Sequence, residues 1–472
     1  MRPRRIVVPL VALAVASIVV AGALTGSFST LARRAVDASA PAQASVAPST
    51  AGKPQPSPSV QRTPSLAPVL APAAAGTKPS PDKVRSRIAA VDDSVMKATV
   101  SAAVLDVGTG DVLYADHAGT PAIPASTMKL LTSAVALDIL GADHEFTTKV
   151  VSPATGGIVL VGGGDPYLAS RTTAATYPKR ASLAELAKAT ATELKRTKQT
   201  KVTLGYDTSL FAGPSWSPSW PSGYRDQVTP VSALSVDGGR VNGFSPGPPQ
   251  TDPARVAARA FASALKHEGI AVSGVSAARA AKSARTVAAV SSMPLQRIVE
   301  QLLLVSDNDA AEVVLRQAAI GAGRPGSFTD GRAVVKGRLT ALGAWRAGTV
   351  IDDGSGLSRK SKVPAATMVG VLRLAAEPER PELRAVLTGL PVAGVEGSLR
   401  GRFGEPGSAA GIGLVHGKTG TLRQVHSLAG VVRSADGSLM VFAFLVNNTA
   451  NDFAATVWLD RVTAALSSCG CR

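Results

Sequence analysis

Cysteine is almost missing from this chain of 472 residues: Cys469 and Cys471, both within the last four positions, are the two it has. No core position carries a free thiol, which suits an oxidising compartment. The Cys-Gly-Cys tail is tight for an ordinary disulfide and is open between an oxidised pair and an unstructured end. Histidine is scarce too. His117, His144, His267, His416 and His426 show no metal-ligand spacing, so no histidine metal site is expected. Aromatic residues make up only 4%, and alanine, valine and leucine carry the apolar load. The formal net charge is +17, yet there is no long basic block and no interleaving of basic with aromatic residues. That pattern argues against a nucleic-acid partner and leaves attraction to an anionic envelope surface, or plain solubility.

The length exceeds what one hydrophobic core usually serves, so two or three domains are expected. Arg2, Arg4 and Arg5 precede an uncharged run from Ile6 to Ala32, strongly apolar in its first part and closed by Arg33 and Arg34. This is an export signal by charge and hydropathy. Ala21-Gly22-Ala23 is an acceptable small-x-small cleavage site; retained, the run is long enough to span a bilayer with the remainder outside. Residues 1–35 are therefore a signal peptide or a membrane anchor, and residues 36–81, rich in Pro, Ala and Ser, a linker unable to bury a core.

Folding begins near Asp82. A short helix over Asp82–Asp92 precedes a hairpin of Thr99–Asp106 and Asp111–Tyr114 across Gly108-Thr109-Gly110. A helix then starts at Ser126 and runs to about Leu140, with Gly141 as its C-cap. After Phe146 short strands alternate with helices over Leu183–Thr197 and Ala254–His267, and residues 146–285 read as an inserted domain. The glycine run Gly162–Gly164 is no phosphate loop, because no Gly-Lys-Ser/Thr follows it. Trp216, Trp220 and Tyr224 lie in a Pro/Ser/Gly loop that either caps a cleft or simply packs. Helices over Pro294–Val305, Ala310–Ala319, Thr329–Leu342 and Ala365–Ala376 follow. A strand over Gly413–His416, a hairpin of Val425–Arg433 and Leu439–Asn447 across Asp436-Gly437, and a last helix over Asp452–Leu466 complete the chain.

Three short motifs stand in order: Ser126-x-x-Lys129, Ser306-Asp307-Asn308 and Lys418-Thr419-Gly420. On a helix, positions i and i+3 share a face, so the Lys129 amine can reach the Ser126 hydroxyl. A hydroxyl at a helix start also sits where free N–H groups favour developing negative charge. Taken singly, each motif is also an ordinary feature: a cap with a solvated lysine, a helix cap, an exposed strand end. Together and in this order they resemble the signature of penicillin-binding proteins and class A β-lactamases. The long stretch between the first two motifs, together with Gly162-Gly163-Gly164-Asp165-Pro166, Ser235-Val236-Asp237-Gly238-Gly239 and Asp353-Gly354-Ser355-Gly356-Leu357-Ser358-Arg359, is similar to the D-alanyl-D-alanine carboxypeptidase/endopeptidase family. That family comprises the low-molecular-mass class C penicillin-binding proteins; the likeness covers roughly residues 85–466.

The resemblance implies an α+β fold, the α/β sandwich of penicillin-binding and β-lactamase-like transpeptidases. An antiparallel sheet is covered by helices, with an inserted smaller α+β domain. The peptidase domain would comprise residues 82–145 and 286–472. It also implies the roles. Ser126 is the nucleophile and Lys129 its base, tuned by the second cation Lys418; a lysine crowded by another cation loses its proton near neutral pH. Ser306 relays a proton to the leaving amine, and Asn308 holds Lys129 or the substrate backbone. Lys418, Thr419, Gly420 and Thr421 receive the terminal carboxylate, and the N–H groups of Ser126 and Thr421 form an oxyanion hole. Implied partners are peptidoglycan stem peptides ending in D-Ala-D-Ala, with β-lactams as covalent inhibitors, and the implied location is the cell envelope; no metal or organic cofactor is implied. A deacylating glutamate has no clear candidate; Glu300 reads as surface. The alternatives are a β-lactamase or esterase on the same fold and a non-catalytic cell-wall-binding module.

Overall fold

The computed structural model describes residues 79–153, 157–172, 179–243 and 245–471. The expected export segment and the Pro/Ala/Ser-rich stretch up to residue 78 lie outside them. In chain order the elements are α1 (Pro81–Ala89), β1 (Thr99–Asp106), β2 (Val112–Asp116), α2 (Met128–Leu140), β3 (Thr147–Ser152), β4 (Ile158–Val161), α3 (Leu183–Arg196), β5 (Lys201–Asp207) and α4 (Pro253–His267). They continue with β6 (Ala271–Ala277), β7 (Arg285–Ser291), α5 (Leu295–Leu304), α6 (Asn308–Gly321), α7 (Phe328–Ala341), α8 (Ala365–Ala376), the single turn α9 (Ala385–Thr388), β8 (Val415–Leu422), β9 (Val425–Arg433), β10 (Leu439–Asn447) and α10 (Asp452–Ser467).

Two sheets organise the protein. The first has strand order β2-β1-β10-β9-β8, with every pair antiparallel. Its middle strand shows why it forms. Along β10, Met440, Phe442, Phe444 and Val446 point into one apolar layer with α1 and α10, while Val441, Ala443 and Leu445 point into another with α2, α5, α6 and α8. A strand buried on both faces must be apolar at every position, and this one nearly is. The turn Asp436-Gly437, with Gly437 at φ +88°, joins β9 to β10. α2 itself is buried almost throughout, from Met128 to Leu137.

The second sheet has order β6-β5-β4-β3-β7 and is mixed: β4–β5 and β5–β6 are parallel, β3–β4 and β3–β7 antiparallel. The amphipathic α3 and α4 pack on it through Leu186, Leu194, Phe261 and Leu265. Side-chain caps start both helices: Ser182 accepts from Glu185 N, and Asp252 from Arg255 N. β7 extends this sheet past residue 285, where the boundary of the inserted segment was expected. At the far end, Cys469 and Cys471 are joined in a disulfide and both are buried. The Ser80 N–H donates to the Cys471 carbonyl at 2.5 Å, so the tail packs against the start of α1.

Candidate active site

The chain enters α2 through an abrupt turn. Ala125, fully buried, adopts φ +47°, a left-handed conformation uncommon for a residue with a side chain. Ser126 follows in a 3-10 turn, Ala125–Thr127, and α2 begins at Met128. The Pro124 carbonyl is clamped by two hydroxyls, Thr127 Oγ1 and Ser427 Oγ, each at 2.7 Å. Two glycines let neighbouring backbone approach. A Cβ on Gly420 would stand 2.7 Å from Pro124 O and 3.0 Å from Ser126 N; one on Gly356, at φ +84°, would collide with the Ala125 carbonyl. The turn that presents Ser126 is thus wedged between β8 and the 353–358 loop.

Lys129 lies one turn on, and no part of it is exposed. Its three N–H bonds are fully used: Nζ donates to Ser126 Oγ (2.9 Å), Asn308 Oδ1 (2.7 Å) and Ser355 O (2.9 Å). Lys418, equally buried, donates to Ser306 Oγ and to Thr419 O, both at 2.9 Å. The structure therefore brings Ser126, Lys129, Ser306, Asn308 and Lys418 into one constellation from α2, the α5–α6 turn and β8. Within Ser306-Asp307-Asn308 the work is divided. Asp307 caps α6 by accepting from Ala310 N (3.0 Å), while Ser306, at φ +59°, turns its hydroxyl to Lys418. Asn308 bridges two partners; its Nδ2 donates to Gln227 O at 2.9 Å. The Gln227 carbonyl can only accept, so the amide nitrogen must face it, and Oδ1 is left for Lys129.

Both lysines are held below the usual range. For Lys129 the first cause is loss of solvation on burial, and its value falls to about 8. Glu312, Asp307, Asp353 and Asp309 pull in the opposite direction. Lys418 is pushed well down, by burial and then by the positive charge of Lys129. The sequence reading gave the tuning of Lys129 to Lys418. Burial carries most of it, and the repulsion between the two cations is felt at Lys418.

β8 runs further than its apolar residues suggest and carries Lys418, Thr419, Gly420 and Thr421 within the strand, at the edge of the first sheet. Thr419 Oγ1 lies 2.7 Å from the exposed Ser398 hydroxyl, and Thr421 is exposed opposite His426 of β9.

Several residues at the site have no role assigned by the sequence reading, although Asp353 and Trp220 lie in stretches it singled out. Glu312, wholly buried, accepts from the N–H groups of Gly354 (3.1 and 3.0 Å to its two oxygens) and Ser355 (2.7 Å). Asp353, also wholly buried, accepts from Trp220 Nε1 (2.9 Å), Gly356 N (3.0 Å) and Ser358 N (2.6 Å). Trp220 is 4% exposed and anchors its loop on that carboxylate. One signal could have found Glu312: it lies four positions after Asn308, on the same helical face. Glu300 instead accepts from Thr388 Oγ1 (2.6 Å) and Arg297 Nη1 (2.8 Å). Among the described residues no group of His, Cys, Asp and Glu is arranged to hold a metal ion.

A family model described as D-Ala-D-Ala carboxypeptidase 3 (S13) matches residues 83–245 and 248–465. The chain is 32% identical over 402 residues to a carboxypeptidase of Mycobacterium tuberculosis, covering 83% of this chain and 85% of that one. It is 33% identical over 381 residues to carboxypeptidase DacB of Mycolicibacterium smegmatis, covering 79% and 81%. In fold it is similar to the crystal structure of penicillin binding protein 4 of Haemophilus influenzae, with a TM-score of 0.65, 21% identity and coverage of 80% and 97%.

Proposed function

The chain belongs to the D-Ala-D-Ala carboxypeptidase 3 (S13) family, and from that premise we propose how its own residues perform the hydrolysis. It is a serine-type D-Ala-D-Ala carboxypeptidase acting on peptidoglycan stem peptides in the cell envelope. The observation that carries the assignment of roles is the pair of fully buried lysines, each 2.9 Å from a serine hydroxyl.

With Lys129 neutral, its lone pair takes the proton of Ser126 as Oγ attacks the D-Ala-D-Ala carbonyl. The new C–O bond places negative charge on the carbonyl oxygen, and the N–H groups of Ser126 and Thr421 receive it. The C–N bond then breaks. Ser306, hydrogen-bonded to Lys418, passes its proton to the departing amine of D-alanine and takes back the one that Lys129 removed from Ser126, which leaves Lys129 neutral again. Water attacks the ester, Lys129 accepts its proton and returns it to Ser126 Oγ as the ester C–O bond breaks, releasing the shortened peptide as its carboxylic acid. Lys418, Thr419, Thr421 and the backbone of Gly420 hold the terminal carboxylate at the β8 edge. A β-lactam presents a strained amide beside a carboxylate, fits the same donors and acylates Ser126.

The inserted accessory domain expected over residues 146–285 is assigned to the second sheet, whose strands run from Thr147 to Ser291. Secretion, or anchoring through residues 6–32, places the enzyme outside the membrane; no helix among the described residues is long and apolar enough to cross one. The test is intact-mass analysis with penicillin. Wild type gains one penicilloyl adduct and releases D-alanine from a D-Ala-D-Ala peptide, and Ser126→Ala does neither. An adduct on Ser126→Ala, or wild type inert in both assays, refutes the assignment. Rapid loss of the adduct marks a β-lactamase instead.

A further inference from the structure

The buried carboxylate of Glu312 has no part in the reaction above, yet it sits one peptide unit behind the base. Its two oxygens take the N–H groups of Gly354 and Ser355. The carbonyl of Gly354 is taken by Thr132 Oγ1 at 2.8 Å, three positions after Lys129 on α2. The next carbonyl, Ser355 O, receives Lys129 Nζ. The following N–H, of Gly356, is held by Asp353. The 353–356 turn is therefore gripped on one side by two carboxylates and offers its carbonyls to α2 on the other. We propose that Glu312 is the positioning residue for Lys129, fixing the 354–356 turn so that the Ser355 carbonyl meets Nζ and supplying buried negative charge that favours the ammonium.

The inference rests on Lys129 being the base, as proposed above. The charged groups acting on Lys129 are Glu312 and Asp309 of α6, Asp307 at its N-cap and Asp353 of the turn; Lys418 of β8 also faces the site, and there the repulsion is felt at Lys418. Arg316, on α6, feels Glu312 but donates to the carbonyls of Ala212 and Pro214 at 3.1 and 2.6 Å. Burial, and then the charge of Asp353, push Glu312 up, while the N–H groups of Gly354 and Ser355 favour its charged form. Charge on Glu312 and charge on Lys129 thus support each other. Acylation, which needs the neutral amine, rises with pH through the titration of Lys129.

Glu312→Gln keeps an oxygen for the N–H groups and removes the charge. Without it the ammonium is less favoured, so the acidic limb of the acylation rate should move to lower pH by about one unit, the size of a single neighbouring charge. Glu312→Asp keeps the charge at shorter reach, so its limb should stay near that of wild type even where its rate falls. The measurement is the second-order rate of acylation by a chromogenic cephalosporin from pH 5 to 10 (an approximate span chosen to bracket Lys129). A limb unmoved in Glu312→Gln, or moved to higher pH, overturns the inference, whatever the absolute rate. A purely structural role lowers the rate at every pH and leaves the limb in place. If Glu312→Gln does not fold, wild type with 13C-labelled glutamate carboxyls and lysine ε-carbons decides. Glu312 and Lys129 should titrate together, and a Glu312 carboxyl still protonated while Lys129 is charged refutes the proposal. Wild type that is not acylated at all refutes the assigned mechanism instead, so the two failures differ.

Discussion

Replacing Arg240 by methionine should destabilise the protein by ~3–5 kcal/mol, and replacing Asp309 by leucine in the same chain should restore most of it. Arg240 is 2% exposed and reaches from the loop after the 3-10 turn Asp237–Gly239 to the start of α6. Its guanidinium donates to Asp226 O (2.7 Å), Gly247 O (2.5 Å) and Asp309 Oδ2 (2.6 Å). Asp309 is already held up, to about 6, by burial and by Asp307, with Arg240 opposing. Removing the arginine leaves a buried carboxylate uncompensated, which accounts for the size of the loss. The pair is not ideally satisfied, since Arg240 Nε has no hydrogen-bond partner among the described residues. An apolar pair of similar volume is therefore a fair replacement. Urea denaturation followed by circular dichroism measures the effect. Arg240→Met within about 1 kcal/mol of wild type, or a double variant no more stable than the single one, would refute the reasoning. Activity should behave differently. Asp309 Oδ1 also receives Thr229 N (2.6 Å), and two residues away Gln227 O receives the amide of Asn308. Losing the Thr229 hydrogen bond, about 1 kcal/mol, should slow penicillin acylation about fivefold in the double variant, which lacks Asp309, even where stability returns, and not in Arg240→Met.

Two further outcomes follow from the same geometry. Gly420→Ala should retain the fold but lose most acylation, because its methyl group would press on Pro124 O and Ser126 N; penicillin labelling as fast as wild type would sink that reading. Burial raises Asp165 to about 7, so the fold prefers its protonated form. Its contribution is fully present below about pH 4, the unfolded value, and is lost as pH rises through about 7. Asp165→Asn, which keeps an oxygen for Tyr167 N (2.8 Å), should flatten the fall of stability between about pH 4 and 7 by up to about 4 kcal/mol. Denaturation curves for the two proteins at both ends of that range test this.

What could be read in advance was local chemistry. Ser126 and Lys129 share a helical face by spacing alone, and the β9–β10 hairpin is announced by Asp436-Gly437 between two apolar runs. What could not be read depends on contact across the fold. β6 and β7 carry no alternation because both are largely exposed edge strands of small residues. β8 looks shorter than it is, since Lys418 and Thr419 break its apolar pattern at the place where the site needs polar groups. Gln227 contributes only its backbone carbonyl, which any residue could supply. Ser398 meets Thr419 from a loop with no motif of its own. Glu312 and Asp353 act through peptide groups, a role that leaves no mark in composition.

The strand order of the first sheet also sets a timetable for biosynthesis. β1 finds its inner neighbour only in β10, with Thr99 opposite Asn447, whereas β3 to β7 of the second sheet lie within one continuous stretch of chain. Contacts between distant parts of a chain form late, and local ones early. The second sheet can close while β8, β9 and β10 have yet to leave the ribosome. Until they do, the turn bearing Ser126 lacks Gly420 and Ser427 behind it, and Lys129 has no Lys418 nearby. Ser126, the proposed nucleophile, is made early and framed last, so a chain cut short before β8 would be expected to fold its second sheet and still show no acylation by penicillin.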